Sequence, residues 1–139
     1  MNWKGTETSE IKDMSPYNPN NKLVSVGWND DPINSDDTEY VFFYHTKHKG
    51  SPNASSRLQS ALDQCGLLVG HNIKHDLSWL LECGFTYTGP VWDTMVGEFV
   101  LARGVKKSFK LEDIAKRRKL TLKKSDVIEY YYKNKITFD

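Results

Sequence analysis

The sequence predicts an α/β domain with a mixed sheet, an antiparallel hairpin plus parallel strands, flanked by helices. Three observations carry that prediction. Two apolar runs of strand character, residues 23–28 and 39–45, are separated by turn chemistry. A third, very short apolar run (Leu67, Leu68, Val69) ends in Gly70 and hands over to a helical pattern. From there onward the apolar spacing is mostly helical, and no repeat or linker divides the 139 residues into two domains.

The elements follow in order. Residues 1–8 have the length of a strand but a poor start for a buried one, Met-Asn-Trp-Lys, and a loop rich in Asn, Pro and Ser runs from about Glu10 to Lys22. Asn29-Asp30-Asp31-Pro32 and Asn34-Ser35-Asp36-Asp37 favour turns, so the first two strong strands read as a hairpin. A polar loop with Gly50 and Pro52 precedes a helix over residues 56–64, marked by Leu58, Ala61 and Leu62. Residues 67–69 have the wholly apolar pattern of a strand covered on both faces. Leu77, Leu80 and Leu81 recur at helical spacing, and Gly84 ends that helix. Asp93 or Thr94 caps a segment reaching about Ala102, stopped by Gly104. Leu111, Ile114 and Ala115 mark another helix, and Ser125-Asp126 open one running through Lys133. Trp28, Phe42, Phe43, Trp79 and Phe85 fall mostly at core positions, and their spacing gives no base-stacking pattern.

Composition narrows the class. At 38% hydrophobic and 27% charged, the chain is globular rather than disordered. No apolar run approaches the ~18–20 residues of a helical membrane span, and the N-terminus lacks a signal pattern, so no membrane partner and a cytoplasmic location are expected. Cys65 and Cys83 fit no metal or redox spacing and read as free thiols in a reducing compartment. The net charge of +1 hides an asymmetry: residues 105–139 hold 11 of the 19 Lys/Arg but only 5 of the 18 Asp/Glu. An acidic front and a basic back suit a protein that holds cations in one place and phosphates in another, although a solvated helical face would give the same count.

The chemistry concentrates where the third strand ends. Asn72 and Asp76 are four residues apart as the helix begins, which places them on one face at the mouth between strand and helix. A carboxylate there, facing a crevice, suits a hard divalent cation. The stretch Gly70-His71-Asn72-Ile73-Lys74-His75-Asp76 resembles the second motif, Asn-x-x-x-Asp, of the DEDD 3′–5′ exonucleases, and is nearest in character to the proofreading domain of family A, phage-like DNA polymerases. Val91-Trp92-Asp93-Thr94-Met95 and Lys110-Leu111-Glu112-Asp113-Ile114-Ala115 are similar to segments that follow that motif. Gly5-Thr6-Glu7-Thr8-Ser9 resembles the first motif, Asp-x-Glu-Thr, with glycine in place of its aspartate.

That resemblance implies a ribonuclease-H-like fold and phosphodiester hydrolysis at a DNA 3′ end, assisted by two Mg²⁺ or Mn²⁺ ions. It also implies single-stranded DNA as partner, a polymerase domain where the chain belongs to a longer one, and the host cytoplasm if the gene is phage-borne. Residue by residue, Glu7 and Asp76 become the catalytic, metal-holding carboxylates, while Thr6, His71 and Asn72 lie about the substrate. The plainer alternatives are a first-turn acid at Asp76, worth ~0.3–1 kcal/mol against the helix dipole, and a turn residue at Asn72. Asp93 reads as a helix cap rather than a ligand. His71 and His75 are spaced for zinc on a helix but lack a third ligand nearby.

Two departures from the family pattern bear on activity. Gly5 offers no ligand where a shared carboxylate belongs. The third motif, Tyr-x-x-x-Asp, is not met: Asn134, Lys135 and Ile136 stand four residues after Tyr130, Tyr131 and Tyr132. The expectation is one exonuclease-like domain over residues 1–139, truncated before its third motif and impaired. The alternative is an inactive module of the same fold that binds nucleic acid or a protein partner. In either case Lys116, Arg117 and Arg118, with Lys119, Lys123 and Lys124, are the expected contacts to the sugar–phosphate backbone.

Overall fold

A computed structural model describes residues 15–31, 37–43, 49–120 and 133–134. Within them the chain forms β1 (Ser25–Asn29), β2 (Thr38–Phe42), α1 (Ala54–Gln64), β3 (Leu68–Gly70), α2 (Ile73–Glu82), β4 (Val91–Asp93), α3 (Thr94–Leu101) and α4 (Leu111–Arg118). The expected strand at residues 1–8, with Gly5, Thr6 and Glu7, lies outside the described residues. So does the expected helix from Ser125, apart from Lys133.

β1 and β2 pair antiparallel, with Val26 opposite Val41 and Trp28 opposite Glu39. β3 and β4 pair in parallel, with Leu68 opposite Val91 and Gly70 opposite Asp93. Parallel neighbours need a crossover, and α2 supplies it. Among the described residues the two ladders are separate two-stranded sheets. The α/β class thus takes the form of an antiparallel hairpin, a parallel pair and four helices, in keeping with a ribonuclease-H-like fold. No helix among the described residues is long and apolar enough to cross a membrane.

The core forms where α1 lies on the hairpin. Val41, Ala54, Leu58, Leu62, Leu80 and Phe85 are buried together, with Leu23, Val26, Trp28, Phe43 and Tyr87 packed around them. Each fully buried aliphatic or aromatic side chain contributes ~1.5–3 kcal/mol relative to exposure. α1 begins at Ala54, two residues before the sequence pattern indicates. The earlier start is possible because Asn53 takes the left-handed conformation (φ 52°), which asparagine tolerates, and its carbonyl accepts the Arg57 N–H at 2.9 Å.

Two expectations about burial are corrected. Phe42 is exposed rather than in the core, because the two-residue strand period that turns Val41 inward turns Tyr40 and Phe42 outward; their rings meet edge to face at 5.5 Å. Residues 67–69 are not covered on both faces. Leu67 and Val69 are 51% and 54% exposed, since β3 pairs only with β4 among the described residues and only Leu68 and Gly70 turn towards neighbours.

Gly84 ends α2 as its sequence position implies. With φ +88°, it lets the Phe85 N–H reach the Leu80 carbonyl and its own N–H reach the Leu81 carbonyl, both at 3.0 Å. Leu80 and Phe85, both buried, complete that stop with an apolar contact.

Candidate functional site

The turn from β3 into α2 is built by three consecutive residues. A Cβ on Gly70 would press on the Ile73 side chain, whose Cβ and Cγ1 would both lie 3.1 Å away, so glycine lets the chain double back here without displacing that side chain. Asn72 then adopts the left-handed region at φ 59°, ψ 40°, and its side chain forms no cap to the helix. α2 therefore begins at Ile73. Asn72 stands just before the helix rather than on it, so the helical stacking of residues 72 and 76 expected from spacing starts one residue later.

The missing cap comes from another element. Asp93, at the end of β4, accepts the Asn72 N–H at 3.0 Å through Oδ1, and the same oxygen accepts Met95 N–H at 2.8 Å and Val96 N–H at 3.4 Å. One carboxylate thus serves the N-termini of both α2 and α3, where orphan N–H groups and helix dipoles favour negative charge. Burial pushes the Asp93 carboxyl up, but the N–H groups of Asn72, Met95, Val96 and Ile73 together outweigh it and hold the group below the usual carboxylate range. The reading of Asp93 as a cap agrees with this geometry, and its service to α2 was not legible from local sequence.

His71 joins three segments. Its Nε2 lies 2.8 Å from the Phe109 carbonyl and its Nδ1 lies 3.0 Å from the Thr94 hydroxyl. The Thr94 Oγ1 also lies 3.2 Å from the Gly70 carbonyl. Both ring nitrogens of this half-buried side chain therefore meet partners within the chain. Phe109 is itself set edge to face against Phe99 of α3 at 5.6 Å.

Asp76 occupies the first turn of α2, exposed, and its carboxylate forms no hydrogen bond or ion pair among the described residues. An unpaired, accessible carboxylate suits a hard cation as one ligand of a set. No group of three or more His, Cys, Asp or Glu side chains assembles around it among the described residues, and Glu7 lies outside them. Two open clefts, of about 390 and 580 Å³, border α1 and the hairpin and are not lined by the β3–α2 turn. The turn is a better guide to chemistry than either cleft, because it holds an unpaired carboxylate at the carboxyl end of a parallel strand.

The basic residues divide into engaged and unengaged sets. Lys116 pairs with Glu112 at 2.8 Å one turn away, which holds its ammonium above the ordinary range. Arg118 reaches Glu98 of α3 at 2.7 Å, while Arg117 donates to the Ser108 carbonyl at 2.8 Å and lies 3.8 Å from Glu98. Glu98, with its side chain only 18% exposed, is the anchor that fixes α4 to α3, and no local sequence signal marks it. Arg103, Lys106, Lys107 and Lys110, on the segment between those helices, are exposed and make no side-chain ion pair among the described residues. That segment touches the Asp76 turn through the Phe109–His71 bond.

A carboxylate just past the carboxyl end of a parallel strand, with cations on the neighbouring segment, has the charges that a phosphodiester-handling site needs. The family model for the 3′–5′ exonuclease matches residues 8–138. The chain belongs to that family, the DEDD-type exonuclease domain of family A DNA polymerases. The matched stretch contains Asn72 and Asp76 and begins one residue after Glu7. No curated protein and no solved structure matches the chain.

Proposed function

We propose that this chain is the proofreading module of a phage-like DNA polymerase, hydrolysing the terminal phosphodiester at a single-stranded DNA 3′ end with Mg²⁺ or Mn²⁺, at a reduced rate. The observation that carries this reading is Asp76: within a chain of the exonuclease family, it is exposed, unpaired and set in the first turn of α2. Asp76 and Glu7 would hold the metal, which supplies charge stabilisation and an activated water. Thr6 and Asn72 would contact the terminal nucleotide, and His71 would act on it through the turn that it holds. Lys116, Arg117 and Arg118 are already offset by Glu112 or Glu98, which weakens their attraction for phosphate, so the unengaged Arg103, Lys106, Lys107 and Lys110 make the stronger phosphate contacts. The unpaired thiols Cys65 and Cys83 accord with a cytoplasmic protein.

The reduced rate follows from Gly5, which gives no ligand where the family places an aspartate. The same residue favours the second reading, a catalytically silent module of this fold that binds DNA. Degradation of a 5′-labelled single strand in Mn²⁺, beside an Asp76→Ala control, separates the two. Slow stepwise shortening from the 3′ end that disappears in the control supports the nuclease. Salt-dependent binding with no shortening supports the silent module.

A further inference from the structure

We infer that His71 and Thr94 are positioning residues, forming a clasp that fixes the Asp76 turn against both α3 and the basic segment preceding α4. The consequence for metal holding rests on the reading of Asp76 given above, whereas the clasp itself stands on geometry alone.

The proton accounting constrains it. The Phe109 carbonyl 2.8 Å from Nε2 only accepts, so Nε2 carries a hydrogen. In the neutral ring Nδ1 is then an acceptor, and the only group meeting it among the described residues is the Thr94 hydroxyl at 3.0 Å. That hydroxyl has a single proton and also faces the Gly70 carbonyl at 3.2 Å. Its proton goes to Nδ1 when the ring is neutral, and to Gly70 when Nδ1 itself donates. Thr94 oxygen thus bonds the ring in both states and bridges it to the end of β3 when Nδ1 donates, functions valine at this position cannot reproduce and serine can. His71 spans 23 residues to Thr94 and 38 to Phe109, so no local backbone bond substitutes for it. Asp76 is one turn further along α2 and takes its place from that start. Arg103, Lys106, Lys107 and Lys110 take theirs from the segment whose Phe109 carbonyl the ring holds.

The test compares the full chain with Thr94→Val and Thr94→Ser. Long-range ¹H–¹⁵N spectra of the imidazole are expected to show His71 in the Nε2–H form, with Nδ1 accepting in the wild type and in Thr94→Ser, and that signature absent in Thr94→Val. Amide exchange at Asn72 and His75 is expected to accelerate roughly tenfold in Thr94→Val and to stay within about threefold in Thr94→Ser. A wild-type ring protonated on Nδ1 alone, or unchanged exchange in Thr94→Val, overturns the clasp. Mn²⁺ affinity, read by electron paramagnetic resonance with Asp76→Ala as control, then tests positioning: a loss of about 10–100-fold in Thr94→Val with recovery in Thr94→Ser is expected. Undiminished Mn²⁺ binding in Thr94→Val overturns the positioning role. A wild type that binds no Mn²⁺ overturns the metal-site reading and, if the spectra and exchange behave as expected, leaves the clasp supported.

Discussion

Replacing Asp93 tests whether one carboxylate organises the ends of two helices. Its Oδ1 accepts three N–H groups, from Asn72, Met95 and Val96. Loss of an ordinary N-cap costs about 1 kcal/mol, within a range of ~0.5–2. The bond to Asn72 is charge-assisted, worth ~1.5–3 kcal/mol where well shielded and about 1 kcal/mol at an exposed partner such as this. Asp93→Ala is therefore expected to destabilise by about 2–3 kcal/mol. Asp93→Asn keeps an acceptor oxygen and loses only the charge beside two helix N-termini, so it should cost about 1 kcal/mol. The sign of the pH dependence follows from the lowered pKa. The stabilisation is fully present above the unfolded value of about 3.9 and is lost as pH falls through the lower folded value. Urea unfolding at pH 7 and again below pH 3 reads both effects. The gap between wild type and Asp93→Asn should narrow in acid, while the gap to Asp93→Ala persists in part. An alanine variant within about 0.5 kcal/mol of wild type at pH 7, below the smallest usual cap effect, would refute the shared-cap argument. An asparagine variant as damaged as alanine would show that charge, not bond geometry, dominates.

Three further outcomes are expected. Lys119 ends α4 in the left-handed region at φ 57°, with the Leu120 N–H returning to the Ala115 carbonyl, so Lys119→Gly should relieve strain and raise stability by about 0.5–1 kcal/mol in thermal melts. Glu98→Ala frees Arg117 and Arg118, both of which reach solvent; stability should fall by about 1 kcal/mol while single-stranded DNA binding at low salt tightens several-fold by titration. Lys106→Gln with Lys107→Gln should flatten the salt dependence of DNA binding by about 0.7 for each phosphate no longer neutralised, whereas Lys116→Gln should leave that slope nearly unchanged.

The elements that sequence revealed are those whose determinants are local. Gly84 stops α2 because a left-handed stop needs glycine, and Leu58 and Leu62 face the core because helical spacing puts them there. The α/β class follows from the same short-range patterns. What stayed hidden is set by partners distant in sequence. The chemistry of Phe42 assigns it to the core, and the register of β2 turns it out. Glu98 carries no mark in its own neighbourhood, since the arginines it holds are about twenty residues away. Charge counting finds the basic C-terminal quarter of the chain but has no means to separate cations already neutralised from those still available.

The site divides along the same line. The Gly-His-Asn-x-x-x-Asp run singles out Asp76 as the candidate ligand, because a carboxylate on the first turn of a helix is a local feature of spacing. The reason that turn holds its shape is not local: it depends on Asp93 reaching the Asn72 N–H, and on His71 reaching Thr94 and Phe109. Those bonds bring the end of β3 and the starts of α2 and α3 to one place, and fasten the 102–110 segment beside it. A carboxylate suited to a cation and lysines suited to a phosphate need no bond to each other if both are fixed to the same histidine. In this chain, the motif supplies the chemical group, and residues outside the motif decide where that group stands.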